Sequence, residues 1–190
     1  MYYLIKISDE EKKVFNELID LASKSESKNG NGNLIVRKNI STVIQIKELE
    51  TTHTKTIDNL IERISKQVGF GLYYFIDNEI MTLSVIKYLK GDFISKHYDF
   101  NWSTGEKYTI IFEINKSDSN FSYIDDDKTQ KEIIPLANQV ILFPTGKYLH
   151  YIPTIKKGER ISVCLEVFTN KTLAPFYKRW LKKLYDRFIF

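Results

Sequence analysis

Apolar residues recur at helical spacing in two segments of the first third of the chain. The first segment covers 9–24, and Ser8 and Glu11 have the spacing of a capping box at its start. The second segment covers 55–68. The positions that share one face are Val14, Phe15, Leu18, Ile19 and Ala22, then Ile57, Leu60, Ile61, Ile64 and Val68. Both segments are therefore predicted to be amphipathic helices, each with one buried face.

From residue 70 the pattern changes to short β-branched and aromatic runs that turn signals separate. Earlier in the chain, a polar loop at 23–33 precedes two short predicted strands at 34–37 and 42–46. The later predicted strands are 72–76, 80–89, 92–96, 107–114, 120–124, 132–134, 139–143, 148–152 and 160–168. This series favours a sandwich or a double-sheet jelly roll. The predicted fold class is mainly β (α+β), a jelly-roll core buttressed by N-terminal helices.

Two parts of the chain are distinguished by composition. Residues 1–170 are predicted to form a single domain, with helical support in 1–69 and the jelly-roll core in 70–170. Residues 171–190 are predicted to carry a basic amphipathic C-terminal helix, over 174–188. Three interpretations of this helix remain open: packing on the domain, contact with an anionic membrane surface, and contact with nucleic acid. Its broad aromatic face favours packing.

The positive charge is concentrated at the C-terminal end of the sequence. The formal net charge is +4, and residues 171–190 hold six Lys and Arg side chains against one Asp. The first 170 residues are therefore close to neutral, which disfavours a nucleic-acid-binding body.

Cysteine content and apolar run length exclude several classes of protein. The single cysteine, Cys164, excludes an internal disulfide framework and a Cys-rich zinc module. No apolar run reaches the roughly 18 residues that a transmembrane helix needs. The N-terminal residues lack a basic region followed by a long apolar one, so no secretory signal is predicted. We expect a cytoplasmic protein without a transmembrane segment.

The sequence contains three histidines, and two of them fall in a pattern typical of metal ligation. His97 and Asp99 are two residues apart, so in a strand conformation their side chains would project from the same face. His150 lies on a later strand. Two imidazoles and one carboxylate form the facial triad that suits non-haem Fe(II). The simpler alternatives are a surface His–Asp pair and a histidine packed in the interior, while His53 is expected to lie unpartnered in a loop.

Arg160 follows His150 by ten residues, directly after a Gly-Glu pair. A guanidinium near such a site could bind a carboxylate through two parallel hydrogen bonds. The alternative is an arginine that lies at the surface of its strand.

Five separated motifs follow one another between residues 88 and 163. They are Tyr88-Leu89-Lys90-Gly91, the His97-x-Asp99 pair, the strand 109–115, the strand 140–144, and His150-Tyr151-Ile152-Pro153 followed by Gly158-Glu159-Arg160. In this order and spacing they resemble the Fe(II)- and 2-oxoglutarate-dependent dioxygenases, particularly the prolyl-4-hydroxylase-like branch. The resemblance covers roughly residues 10–170, and it is specific because the motifs occur as a set.

The resemblance implies a double-stranded β-helix (jelly-roll) core and a role for each motif residue. His97, Asp99 and His150 would hold Fe(II) and act catalytically through the iron. Arg160 would pair with the distal carboxylate of 2-oxoglutarate, and Tyr88 would hydrogen-bond this cosubstrate. O2 would be the other cosubstrate, and ascorbate is a candidate additional cofactor.

Two features depart from the family pattern. Residues 116–121 lack the Gly pair that usually follows the Asn-ending strand. Glu113 stands where these hydroxylases often have a Tyr beside the cosubstrate. Glu113 and Thr109 are candidate residues of the layer that surrounds the metal ligands and keeps them in place. If Glu113 points inward, it would repel the dicarboxylate that Arg160 binds.

The predicted activity is hydroxylation of a C–H bond on a protein or peptide residue, proline first, with release of succinate and CO2. Three alternatives stay open: a nucleic-acid demethylating dioxygenase, a small-molecule hydroxylase, and a non-catalytic jelly-roll binding module. Nucleic acid is disfavoured as a partner because the repair dioxygenases carry a second Arg where this chain has Glu166. Peripheral membrane contact through the C-terminal helix also stays open.

Overall fold

Twelve strands and two α-helices form the part of the chain that the structure describes. The computed structural model describes residues 1–24, 28–29, 37–76 and 82–175. A short 3-10 helix, Ile46–Glu48, precedes the second α-helix. The elements are β1 (Tyr3–Lys6), α1 (Asp9–Lys24), β2 (Lys28–Asn29), β3 (Arg37–Lys38), β4 (Ile40–Val43), α2 (Thr51–Val68), β5 (Leu83–Tyr88), β6 (Phe93–His97), β7 (Lys107–Asn115), β8 (Phe121–Ile124), β9 (Gln130–Ile133), β10 (Gln139–Phe143), β11 (His150–Ile152) and β12 (Arg160–Phe168).

The strands form two antiparallel sheets. The seven-stranded sheet has the order β1-β10-β7-β12-β5-β4-β2, and the five-stranded sheet has the order β3-β6-β11-β8-β9. The two longest strands, β7 and β12, each have nine residues and pair along their full length. The predicted fold class, a mainly β jelly-roll core with N-terminal helices, is confirmed.

Alternate residues of β12 face two different cores, because successive side chains of a strand point to opposite faces. Val163, Leu165 and Val167 belong to the core that the helices cover, where Phe15 of α1 stacks on Phe112 of β7 with ring centroids 4.8 Å apart. The opposite face of β12 lines the space between the two sheets. Between residues 160 and 166, this face consists of Arg160, Ser162, Cys164 and Glu166. This alternation carries the polar residues of β12 into the interior of the jelly roll.

Helix α1 begins with the reciprocal cap that its sequence predicts. The backbone N–H of Ser8 donates to Glu11 Oε2 at 2.7 Å, and the backbone N–H of Glu11 donates to Ser8 Oγ at 3.2 Å. Glu11 also accepts a hydrogen bond from Arg63 of α2 at 2.8 Å. The capping carboxylate therefore joins the two helices.

Several element predictions differ from the structure. β1 was not predicted, and it forms the edge of the large sheet by pairing with β10. The predicted strand 72–76 is not a strand: only Tyr73 makes an isolated bridge, with Phe168. Its apolar character comes from packing, since Leu72 is buried and Phe75 contacts Phe168 with ring centroids 5.0 Å apart.

The expectation that His53 lies unpartnered in a loop is wrong. Helix α2 begins at Thr51, so it includes His53. The side chain of His53 is 10% exposed, and its Nε2 lies 2.8 Å from Glu17 Oε2 of α1. The threonine-rich segment concealed the helix start because β-branched residues have modest helix propensity. Packing of α2 against α1 overrides that propensity.

Some predictions fall on residues outside the described ranges. These residues are 25–27, 30–36, 77–81 and 176–190. The predicted C-terminal helix over 174–188 falls almost wholly within them, as does most of the loop 23–33. Neither the helix nor the boundary at residue 170 is tested. Among the described residues, neither α-helix combines the length and the apolar character needed to cross a membrane.

Candidate metal centre

The two histidines of the predicted triad lie opposite each other on adjacent strands of the small sheet. His97 ends β6 and His150 begins β11, and these two residues are paired in register. Their ring centroids are 4.3 Å apart. Asp99 follows β6 by two residues, and its backbone N–H donates to the carbonyl of Thr145 at 3.0 Å. Strand pairing and this loop hydrogen bond together bring the three side chains to one point.

The potential ligand atoms of these three residues all lie within 4.8 Å of one another. Asp99 Oδ1 is 3.4 Å from His97 Nε2 and 3.7 Å from His150 Nε2. Two imidazole nitrogens and one carboxylate oxygen at this separation can hold a single metal ion. A set of three protein ligands leaves other coordination positions open, as non-haem Fe(II) sites require.

Hydrogen bonds orient both imidazoles for metal binding. His97 Nδ1 lies 2.8 Å from the carbonyl oxygen of Ser95, and His150 Nδ1 lies 3.0 Å from that of Tyr148. A carbonyl oxygen can only accept, so each Nδ1 carries the hydrogen. The lone pair of each neutral ring is then on Nε2, which points toward Asp99. Such outer hydrogen bonds fix the tautomer of metal-binding histidines.

Burial keeps His150 neutral. Its side chain is 7% exposed, and it contacts the rings of Phe121 and Phe143. This burial lowers the pKa of His150 to about 4, although the Asp99 carboxylate acts in the opposite direction. Burial alone would raise the pKa of Asp99, but Lys107 and the two histidines outweigh it and hold that pKa well below its usual range. Asp99 and His150 are therefore ready to bind a cation without first losing a proton.

The predicted carboxylate-binding residue, Arg160, lies at the start of β12 and is fully buried. Tyr88 of β5 is its partner in register and is also buried. Arg160 Nε donates to Ser162 Oγ at 3.2 Å, and Arg160 Nη2 donates to Glu113 Oε1. Arg160 Nη1 is buried without a hydrogen-bond partner. We call these four residues, Tyr88, Glu113, Arg160 and Ser162, the Arg160 cluster.

Glu113 points inward and forms an ion pair with Arg160, and the two side chains are 2% and 1% exposed. Burial raises the pKa of Glu113, although the Arg160 guanidinium acts to lower it. The cluster therefore fits 2-oxoglutarate only in part. One unpartnered guanidinium nitrogen is open to an oxygen of a ligand, but the adjacent carboxylate opposes a second negative charge.

Comparison with known proteins shows similarity at the level of structure alone. No family model and no curated protein matches this sequence. A Pseudomonas putida prolyl-4-hydroxylase is similar with a TM-score of 0.65 at 15% identity, over 90% of this chain and 92% of that chain. A Trichoplax adhaerens prolyl hydroxylase, solved with a hypoxia inducible factor peptide fragment, has a TM-score of 0.66 at 14% identity, over 95% and 86%. A Burkholderia pseudomallei oxidoreductase of the 2OG-Fe(II) oxygenase family has a TM-score of 0.63 at 14% identity, over 83% and 80%.

The chain has the 2OG-Fe(II) oxygenase fold. The resemblance that the five sequence motifs indicate is thus confirmed for the fold. The roles of His97, Asp99, His150, Arg160 and Tyr88 stay predictions, because the similarity lies far below the identity at which function follows from fold.

Sequence reasoning missed a buried cation within this oxygenase fold. Lys107 begins β7, its side chain is 2% exposed, and its Nζ lies 2.7 Å from Glu166 Oε1 and 3.5 Å from Asp99 Oδ2. It also donates to the carbonyl of Phe100 at 3.1 Å. Burial acts to lower the pKa of Lys107, but the carboxylates of Asp99 and Glu166 outweigh it and raise that pKa. A lysine at the start of a strand gave no signal of burial, because β7 is buried on both faces and its sequence alone does not distinguish them.

Two further residues complete the interior of the oxygenase fold near the triad. Thr109, predicted to support the site, is buried and forms a hydrogen bond with Thr145 at 2.9 Å between the hydroxyl oxygens. Thr145 also holds the backbone of Asp99. Cys164 lies between Ser162 and Glu166 on the inward face of β12, and burial raises the pKa of its thiol to about 12. Its thiol is therefore not a ready metal ligand or nucleophile.

Proposed function

We propose that this chain is a non-haem Fe(II) oxygenase that consumes a 2-oxo acid and O2 to hydroxylate a C–H bond. The observation that carries the proposal is the meeting of His97, Asp99 and His150 at one point, with both Nδ1 hydrogens bound to backbone carbonyls. These three residues would hold Fe(II), and bound iron would supply the activation of O2. The resemblance names 2-oxoglutarate as the first cosubstrate to test.

The overall reaction has a defined balance of atoms and electrons. One oxygen atom of O2 enters the C–H bond as a hydroxyl, and the other enters the carboxylate left when the 2-oxo acid loses CO2. O2 takes up four electrons, two from the C–H bond and two from the 2-oxo acid. With 2-oxoglutarate the products are succinate, CO2 and the hydroxylated substrate.

The residues of this chain would contribute binding, orientation and exclusion of water. Arg160 and Tyr88 would hold the distal end of the cosubstrate, because Arg160 Nη1 has no internal partner. Phe121 and Phe143 cover the ring of His150, which excludes water on that side of the triad. Thr109 would act through Thr145 to keep Asp99 in place.

We propose a protein or peptide residue as the substrate, with proline first. His97 and Asp99 are 30% and 25% exposed, so one side of the triad is open to a large substrate. A similar hydroxylase was solved with a peptide fragment. Nucleic acid is a weaker candidate because position 166, where the repair dioxygenases carry a second Arg, holds a Glu that pairs with the buried Lys107.

The experiment is to load the purified chain with Fe(II) and measure CO2 release from 1-labelled 2-oxo acids, with and without proline-containing peptides. We expect turnover that depends on Fe(II) and is lost in Asp99→Ala and His150→Ala. His53→Gln is the matched control, because His53 lies in α2 and pairs with Glu17. Equal turnover in the wild type and both triad variants would contradict the proposal.

A non-catalytic jelly-roll module is the second candidate. It is favoured by one observation: Arg160 already has an anionic partner in Glu113. The same experiment separates the two functions. A chain that takes up metal but releases no CO2 from any 2-oxo acid is a binding module and not an oxygenase.

A further inference from the structure

The distal end of the proposed cosubstrate site already contains one cation and one anion. Arg160 begins β12, and Glu113 on the neighbouring strand β7 is the register partner of Ser162, so both charged groups face the interior. Their side chains are 1% and 2% exposed, and they form an ion pair. Since neither can be hydrated from outside, their charges are balanced mainly by each other.

The hydrogen bonds of Arg160 define what a ligand would meet there. Nη2 is occupied by Glu113 and Nε by Ser162. Nη1 is buried and has no partner. The site therefore offers a ligand one guanidinium donor, with a carboxylate bound to the adjacent nitrogen.

No other cation compensates the Glu113 carboxylate in the described part of the chain. The buried lysine of the interior, Lys107, pairs with Asp99 and Glu166. The interior residues that flank the pair, Tyr88 and Cys164, carry no positive charge in any protonation state. A second carboxylate brought to Arg160 would lie close to Glu113 in an environment with little water, where like charges repel strongly.

Resting on the proposed function, we propose that Glu113 makes the distal end of the cosubstrate site electrically neutral and so sets cosubstrate selectivity. The site then prefers 2-oxo acids whose distal group accepts a hydrogen bond from Arg160 Nη1 without a negative charge, and it disfavours 2-oxoglutarate. The 2-oxo acid head, which would meet the metal, is common to both classes of acid. Selection therefore depends on the distal group and on Glu113.

The test compares two probes of nearly the same shape on the Mn(II)-loaded chain. The probes are 2-oxoglutarate and its 5-monomethyl ester, which keeps the distal carbonyl oxygen and removes the charge. Binding is measured by calorimetry at neutral pH. We expect the wild type to bind the ester at least about tenfold more tightly, as expected for one unfavourable buried charge contact.

The decisive variant is Glu113→Gln, which removes the charge and keeps the size of the side chain. It should bind 2-oxoglutarate at least about tenfold more tightly than the wild type does, and its preference should reverse. Glu159→Gln is the matched control, because Glu159 adjoins Arg160 in sequence but is 40% exposed and pairs with Lys87. This control should keep the wild-type preference.

The outcomes separate this inference from the proposed function. A wild type that prefers 2-oxoglutarate overturns the inference, because Glu113 would then be neutral or displaced when the ligand binds. A preference for the ester that Glu113→Gln leaves unchanged also overturns it. If Mn(II) binds but neither the wild type nor any variant binds either acid, the proposed function fails as well. The wild-type comparison stands even if Glu113→Gln does not fold.

Discussion

At the scale of the residue, the interior of this jelly roll contains charged side chains that form ion pairs with one another in the absence of a ligand. Lys107 is the clearest example, since its Nζ lies between Asp99 and Glu166 with almost no exposure. A buried cation of this kind stabilises the fold because two carboxylates depend on it. It also keeps Asp99 ionised, which a metal ligand requires.

We therefore expect Lys107→Met to be strongly destabilising. Removing one member of a buried ion-pair set leaves uncompensated charge, at a cost of about 3–5 kcal/mol in the free energy of unfolding. The measurement is urea unfolding of the metal-free chain. The double variant with Glu166→Leu should recover part of the loss, because it removes one of the two carboxylates that face Lys107. A single variant as stable as the wild type would show that Lys107 is not held between these groups.

At the scale of the element, the turn before β12 determines where Arg160 enters the interior. Gly158 has a φ of 82°, and a Cβ added there would overlap the backbone carbonyl of Lys116. Lys116 in turn donates its backbone N–H to the carbonyl of Glu159 at 2.9 Å. The C-terminal end of β7 and the start of β12 are thus held together at a point where only glycine fits.

Gly69, the residue that ends α2, provides a matched comparison for this turn. Its φ is also 82°, but nothing lies within 4 Å of an added Cβ. Gly69→Ala should cost about 1–2 kcal/mol from left-handed backbone strain alone. Gly158→Ala should cost clearly more in urea unfolding, and it should weaken 2-oxo acid binding while Gly69→Ala does not. Equal losses of stability in the two variants would mean that the turn at Gly158 has room to relax.

The same scale explains which parts of the fold the sequence predicts. Both helices were predicted from their apolar faces, and most core strands from β-branched runs, because burial of one face imposes periodicity. β1 was missed because its four residues are too short a run to show alternation. The direction of Glu113 could not be predicted with certainty from its own strand, because a strand reveals its buried face only when the facing layers are known. The two histidines could be predicted as a motif, but their pairing in register across β6 and β11 could be seen only in the folded sheet.

At the scale of the whole molecule, the helices and the candidate site occupy opposite faces of the large sheet. The helices cover the face that contains Val163 and Leu165, whereas the triad and the Arg160 cluster lie between the sheets. The stability of the molecule therefore depends on two separate interiors. The outer core is apolar, and the inner one contains ionisable groups whose protonation links the site to global unfolding.

The global stability of the metal-free chain should consequently fall in mild acid. Burial lowers the pKa of His150 to about 4, below its unfolded value of about 6.5. The unfolded chain therefore binds a proton at a higher pH than the folded chain does. The stability linked to His150 is present above about pH 6.5 and is lost progressively as the pH falls toward 4. The lowered pKa of Asp99 adds a further loss below its unfolded value of about 3.9, in the same direction.

From about pH 7 to about pH 5, this linkage amounts to about 2 kcal/mol in the free energy of unfolding from His150 alone. Urea unfolding of wild type and His150→Gln at both pH values measures it, since glutamine does not titrate. We expect the wild type to lose about 2 kcal/mol more than the variant over this interval. Equal losses would mean that His150 is hydrated in the folded chain.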